Sequence, residues 1–218
     1  MSTNMDFFLP SEIRARFRID SCIAEYKSAT FLIVYDFERE HDCQLCVIES
    51  MESSTYAKIM TIYHTLKPEA PVCPIIDYGY YRNRKLFFYT YSTTDGFIQE
   101  KIFLPDLFSE IIFVQQWAAA HEITLPSSAE SVIFLNNSKL CIKNWMFYFW
   151  CSDYSEPKST PDSDTLLFSS LDFLYKLASS QSFEESVLQE ILRIRDACND
   201  KSSLESVKEK LGNISSRC

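Results

Sequence analysis

Glycine and histidine are scarce in this 218-residue chain, with three of each. The histidines (His41, His64, His121) are accompanied by no G-x-S-x-G, so a serine-hydrolase triad has no nucleophile turn to sit on. Positive charge is also short: 21 Lys and Arg stand against 30 Asp and Glu, giving a formal net charge of -9. A protein that tracks a phosphate backbone needs a basic face to displace counterions, so we expect no nucleic-acid partner. The plain reading of the charge is acidic solubility. No apolar run is long enough to span a bilayer. The opening MSTNMDFFLP lacks a basic lead, and Phe7-Phe8-Leu9 is far shorter than a signal-peptide core. We therefore expect a soluble, cytoplasmic protein. The Ser, Thr and Asn of MSTN are compatible with an uncleaved export signal of the type III kind found on injected bacterial proteins, although a frayed terminus explains them as well.

Eight cysteines are present, but a zinc pattern is not. Cys43 and Cys46 form one C-x-x-C with no second pair, and on a strand positions i and i+3 point to opposite faces. Cys22, Cys43, Cys46, Cys73 and Cys141 lie in apolar, strand-like runs, where a free thiol behaves as a small hydrophobe. We expect them buried and reduced, with Cys218 exposed at the terminus. Asn136-Asn137-Ser138 and Asn213-Ile214-Ser215 match a glycosylation pattern that is silent without a secretory signal.

With 46% apolar residues the chain can bury a globular core. FRIDSCIAE (17–25), FLIVYDFE (31–38) and CQLCVIE (43–49) are rich in β-branched and aromatic residues and predict an antiparallel meander. A helix is predicted from Ser53 to Leu66, ended by Pro68, then strands over VCPIIDYGYY and KLFFYTY divided by RNR. The second half reads mainly as helix. Residues 106–121 place Leu107, Ile111, Val114 and Ala118 on one face. A hairpin follows in SVIFLNNSKLCIKN, turning at Asn136-Asn137, and residues 151–164 read as a mobile loop. A buried central helix is predicted over 164–179, then two more with capping boxes at Ser182/Glu185 and Ser202/Glu205, the last stopped by Gly212.

Five strands with a helix after the third, then a helical half with one hairpin, resemble the protein kinase fold: α+β, two-lobed, with an N-lobe over about 12–93 and a reduced helical C-lobe over 94–218. The segment CPIIDYGYYRNRKLFFYTYSTTDGFIQEKI is similar to kinase strands four and five, the hinge at Asp95-Gly96 and the first C-lobe helix. Residues 124–134 then align without a gap on the catalytic loop H-R-D-L-K-P-E-N-I-L-L, with His121 where kinases often carry a histidine. Asn144-Trp145-Met146 fall on D-F-G.

The apolar skeleton of this resemblance is kept and its ions are not. Phosphoryl transfer relies on metal ions held by a carboxylate and an amide, a lysine on the phosphates, and an aspartate accepting the hydroxyl proton. Pro126 stands at the base position, Ser131 at the metal-binding amide and Asn144 at the metal-binding aspartate. Ala24, Tyr26 and Ala29 occupy the glycine-loop positions, where a Cβ holds phosphates off. The strand-three lysine position is Ile48 or Glu49. No carboxylate lies between Glu52 and Glu69, and Met60 is near the place of the helix glutamate. Tyr26, Phe88 and Trp145 are candidates to fill the nucleotide space, and we favour packing over partner binding for NWMFYFW (144–150).

The resemblance therefore implies a pseudokinase, of bacterial type, that is not an enzyme. We expect no catalytic, cofactor-binding or metal-binding residues, no cofactor, and a protein partner for a scaffolding or regulatory module. The alternatives are a secreted bacterial effector and a kinase-fold enzyme with an altered nucleotide pose or different transfer chemistry. Such an enzyme would have to draw its phosphate cations from Lys27, Lys58 and Lys143.

Overall fold

The computed structural model describes residues 9–26, 28–92, 103–125, 132–135, 139–153, 163–181, 183–199 and 202–215. The chain divides into two compact units: Met1–Tyr63 with Pro74–Asp95, and His64–Cys73 with Gly96–Cys218. Among the described residues no helix is long and apolar enough to cross a membrane.

The first unit is built on one antiparallel sheet of strands β1 (Phe17–Tyr26), β2 (Ala29–Asp36), β3 (His41–Ile48), β4 (Ile75–Tyr81) and β5 (Leu86–Ser92), in the order β1-β2-β3-β5-β4. The predicted meander is there, with β2 starting two residues earlier than expected. It ends at Asp36 because residues 37–40 form the turn, where Glu40 N donates to Asp36 O at 2.8 Å and Glu40 takes φ 55°. RNR becomes a one-turn 3-10 helix, Arg82–Arg84, closing the β4–β5 connection. β1 is an edge strand with register irregularities between Ile19 and Ser21 and between Cys22 and Ala24. Its outer half is wet on both faces, and Cys22 is exposed, contrary to the expectation that it is buried. Cys43 and Cys46 are buried as expected, and burial pushes the Cys43 thiol up to about 11.

One face of the sheet carries Leu32, Val34, Cys43, Leu45, Val47, Leu86 and Phe88 in a single cluster with Leu9, Ile13 and Phe17. Helix α1 (Ser11–Arg16), which sequence patterning did not predict, supplies Ile13 to that cluster. Phe88 reaches across to β4. Its cross-strand partner is Gly79, where an added Cβ would lie 2.3 Å from Phe88 Cε1, so only glycine lets the ring cross there. Helix α2 (Ser53–Thr65) belongs to the opposite face.

The second unit holds α3 (Leu104–Ala120), the hairpin β6 (Val132–Leu135) and β7 (Lys139–Ile142), α4 (Trp145–Asp153), α5 (Ser163–Ser180), α6 (Glu185–Asp196) and α7 (Leu204–Ser215). α3 begins two residues before the expected start because Pro105 suits a first helical turn. Val72, predicted in the fourth strand, instead bridges Ile142 of β7, and Cys73 packs on Cys141. The Asn136-Asn137 turn, most of the 151–164 loop, Ser182 and Cys218 lie outside the described residues, but Cys151–Asp153 are helical rather than loop.

α5 is central but not apolar all round. Leu171 and Leu174 are fully buried, whereas Phe168 is 48% exposed under the Arg195 guanidinium. Two caps and one stop differ from expectation. Glu184 precedes α6 without a side-chain cap bond, and Ser203 rather than Ser202 caps α7, accepting from Ser206 N at 3.2 Å. Gly212 does not stop α7, which runs on to Ser215 with no positive φ at glycine.

Candidate functional site

At the tip of the β1–β2 hairpin Tyr26 pairs with Ala29 and Ala24 with Phe31. Ala29 is buried, and Ser28 O accepts Glu49 N at 2.7 Å. Lys27 lies outside the described residues. Tyr26 does not fill a space under the sheet: it is 59% exposed and meets Phe31 edge-on, the ring centroids 5.8 Å apart.

Pairing decides which residue ends strand three. Cross-strand partners point to the same face of a sheet, and Ile48 is paired with Phe87, whose ring lies 5.6 Å from Tyr56 on α2. Ile48 therefore faces the helix side and is fully buried, while Glu49 is beyond the strand and exposed. Phe88, one position on from Phe87, points the other way, into the cluster with Ile13, so it too is excluded as a filler on the α2 face.

α2 has no acidic residue in its 13 positions, and Met60 is buried. Aromatic contacts hold it instead. Tyr56 stacks on Tyr80 with centroids 4.4 Å apart, Tyr63 meets Tyr78 edge-on at 5.4 Å, and Tyr80 Oη donates to Met51 O at 3.0 Å at the helix approach. Burial, then the nearby Tyr78 and Tyr80, push the Tyr56 hydroxyl pKa up. Lys58 is exposed on this helix.

In the second unit α3 ends at His121, whose ring stacks on Trp117 at 4.1 Å and whose Nδ1 lies 2.8 Å from Trp117 O. The chain then turns through Glu122, at φ 58°, and Thr124 N donates to Ser152 Oγ at 2.7 Å, tying this segment to α4. Pro126 and Ser131 lie outside the described residues. After β7, Asn144 takes φ 50°, a left-handed conformation that asparagine tolerates better than most. α4 starts at once behind it, with Asn144 O accepting Tyr148 N at 3.1 Å. Trp145 and Met146 are fully buried, so the aromatic run packs. Lys143 is half-buried.

What this arrangement can do chemically is limited by its charges. Ile48, Met60 and Asn144 are neutral. Among the described residues no group of three or more His, Cys, Asp or Glu is placed to hold a metal ion. The buried charge lies elsewhere, in a cluster that sequence reading missed. The Asp36 side chain is fully buried and takes Arg16 Nε at 3.1 Å and Nη2 at 2.6 Å, while Arg16 Nη1 meets Asp77 at 2.6 Å. Burial raises the Asp36 pKa, but the Arg16 hydrogen bonds and the Glu38 amide outweigh it and hold the carboxyl below its usual range. The only sequence signal was an acidic residue closing an apolar strand. Between α6 and α7 a groove of about 520 Å³ mixes Val187, Ile194 and Ile214 with Glu190, Arg193 and Lys210.

A five-stranded antiparallel sheet in this order, with one helix between its third and fourth strands, followed by helices with a two-stranded hairpin, defines a protein kinase-like α+β fold. Among solved structures the chain is similar to the crystal structure of the BubR1 kinase domain, with a TM-score of 0.54 over 92% of this chain and 80% of that one. The two share 10% sequence identity, so the likeness is one of fold. No protein-family model and no curated protein matches the sequence.

Proposed function

We propose that this protein is a pseudokinase, a kinase-like fold that does not transfer phosphate and works as a protein-binding, scaffolding or regulatory module. One observation carries the reading. At the end of strand three, facing the helix, the chain has a fully buried isoleucine, Ile48, and the helix above it has no carboxylate. A lysine there would hold the phosphates and a glutamate would hold the lysine; neither contact has a counterpart among these residues. Pro126, Ser131 and Asn144 add that the proton acceptor and both metal ligands are replaced in the sequence. An amide such as Asn144 can ligate magnesium, but without the formal charge that makes the site competitive. The mixed apolar and charged chemistry of a protein interface fits such a chain better than a metal-triphosphate site does.

Titration calorimetry with ATP and magnesium tests this. No heat of binding and no thermal shift with millimolar-range nucleotide are expected, and a magnesium-dependent affinity in the micromolar range would overturn the reading.

A further inference from the structure

Backbone pairing fixes which way each residue of β4 points its amide and carbonyl. Glu49 N donates to Ser28 O at 2.7 Å, on the β2 side of β3. In antiparallel strands this direction alternates residue by residue, so Cys46 and Ile48 bond toward β5, through Tyr89 and Phe87. Leu86, Phe88 and Thr90 of β5 then bond toward β4, through Tyr81, Gly79 and Asp77. Tyr78 and Tyr80 are left with amide and carbonyl directed away from β5, on the outer side of β4, where no further strand lies among the described residues. An independent contact agrees: Tyr78 N donates to a side chain, Asp77 Oδ1, at 2.8 Å.

This margin has few of the devices that keep sheet edges apart. β4 reads Ile-Ile-Asp-Tyr-Gly-Tyr-Tyr, with no Pro, Lys or Arg, and all seven residues are half-buried. Its one charge, Asp77, is neutralised by Arg16 at 2.6 Å and Arg39 at 3.7 Å. Its register irregularity falls between Ile75 and Asp77, so Asp77–Tyr81 pairs evenly, whereas β1, the other outer strand, is interrupted twice.

We propose that β4 is a self-association edge, on which two copies of this chain pair their β4 strands antiparallel about a two-fold axis at Gly79. In that register Tyr80 N–H donates to Tyr78 O of the partner subunit, and Tyr78 N–H donates to Tyr80 O of the partner subunit, each twice by symmetry. An axis at Tyr78 would instead set Tyr80 against Ile76, at the irregularity, and an axis at Tyr80 would set Tyr78 against Arg82, beyond the strand. About Gly79, Asp77 faces Tyr81 and not a second Asp77, Tyr78 faces Tyr80 in a favourable aromatic pair, and the axis itself carries no side chain. Asp77 sets the strength, because Tyr78 N–H must leave its carboxylate to reach the partner subunit. Both copies spend the same edge, so association closes at two. The inference does not depend on the pseudokinase reading, since it uses backbone groups of β4 and not the charges missing at Ile48 and α2.

Sedimentation velocity of the whole chain, combined with hydrogen exchange by mass spectrometry, tests it. As concentration rises from the micromolar range toward the millimolar, the chain is expected to pass reversibly from monomer to dimer. Exchange of the 75–81 peptide should slow in step, while that of 17–26 stays the same. Asp77→Ala removes the acceptor that holds Tyr78 N–H and is expected to tighten the dimer about tenfold, whereas Asp77→Asn, which keeps an oxygen acceptor there, leaves it within about twofold. Tyr78→Pro deletes that N–H at an outward edge position, where proline is tolerated, and is expected to weaken the dimer at least about tenfold. If the proline variant does not fold, the wild type and the two Asp77 variants still decide. A chain that stays monomeric, a dimer with unchanged exchange over 75–81, or one that Asp77→Ala loosens would leave this edge to an occupant other than a second copy and overturn the proposal.

Discussion

Replacing Ile48 by lysine puts back the residue type that a phosphate site would need, into a place with no room for its charge. Ile48 is fully buried between Ala29 and Phe87, and the helix on that face offers no carboxylate. Burial of this kind lowers a lysine pKa by about 3–5 units from about 10.4, to roughly 5–7. At about 1.36 kcal/mol per unit, the charged form costs about 4–7 kcal/mol, a large part of the roughly 5–15 kcal/mol that holds a domain folded. Between the folded and unfolded pKa values the unfolded chain carries the proton that the folded chain has lost, so stability climbs with pH across that window. Urea denaturation of Ile48→Lys is therefore expected to show a deficit against wild type of about 4 kcal/mol at pH 7, shrinking to under about 2 kcal/mol at pH 10. A deficit below about 1 kcal/mol that is the same at both pH values would refute the reasoning, because the ammonium would then have reached water and Ile48 would not be sealed from it.

Gly79→Ala forces a Cβ against Phe88 and is expected to cost about 1–3 kcal/mol by thermal melting, with most of that loss absent in a Phe88→Leu background. Glu40→Gly relieves a left-handed backbone in the β2–β3 turn and is expected to raise stability by about 1 kcal/mol in the same assay. Asp36 has a depressed folded-state pKa, so its contribution is fully present above the unfolded value of about 3.9 and fades as pH falls through the lower folded one. Stability measured from pH 5 to pH 2 should fall more steeply in the wild type than in Arg16→Gln/Asp36→Asn; parallel slopes would argue against the Asp36 assignment.

The strands of the first unit were readable because β-branched and aromatic residues cluster in them, between short polar turns. What a strand does not reveal is its neighbours. Cys22 looked interior because its run is apolar, yet among the described residues no strand lies on the outer side of β1, and both its faces meet water along much of its length. The choice between Ile48 and Glu49 was equally undecidable from local composition, since it depends on where β3 stops and which way Phe87 points. Helix α1 escaped because six residues carry too little periodicity, and their order comes from Arg16 and Asp36, 20 positions apart. α4 escaped for the opposite reason: Trp-Met-Phe-Tyr-Phe-Trp has the composition of a strand, and tertiary packing of Trp145 and Met146 overrides that preference. At the candidate site, the loss of charge was plain from residue identities, whereas the aromatic grip on α2 required knowing that Tyr56 and Tyr80 meet.

The two interruptions in β1 bear on how this protein behaves at high concentration. A ten-residue margin with its outer amides and carbonyls in even spacing would be a template on which another molecule's backbone could zip up. Offsetting that spacing twice, near Asp20 and Ile23, denies a straight visitor any long matching row. The hairpin thereby guards against fibre growth through its backbone shape, even with Ile23 and Tyr26 left uncovered.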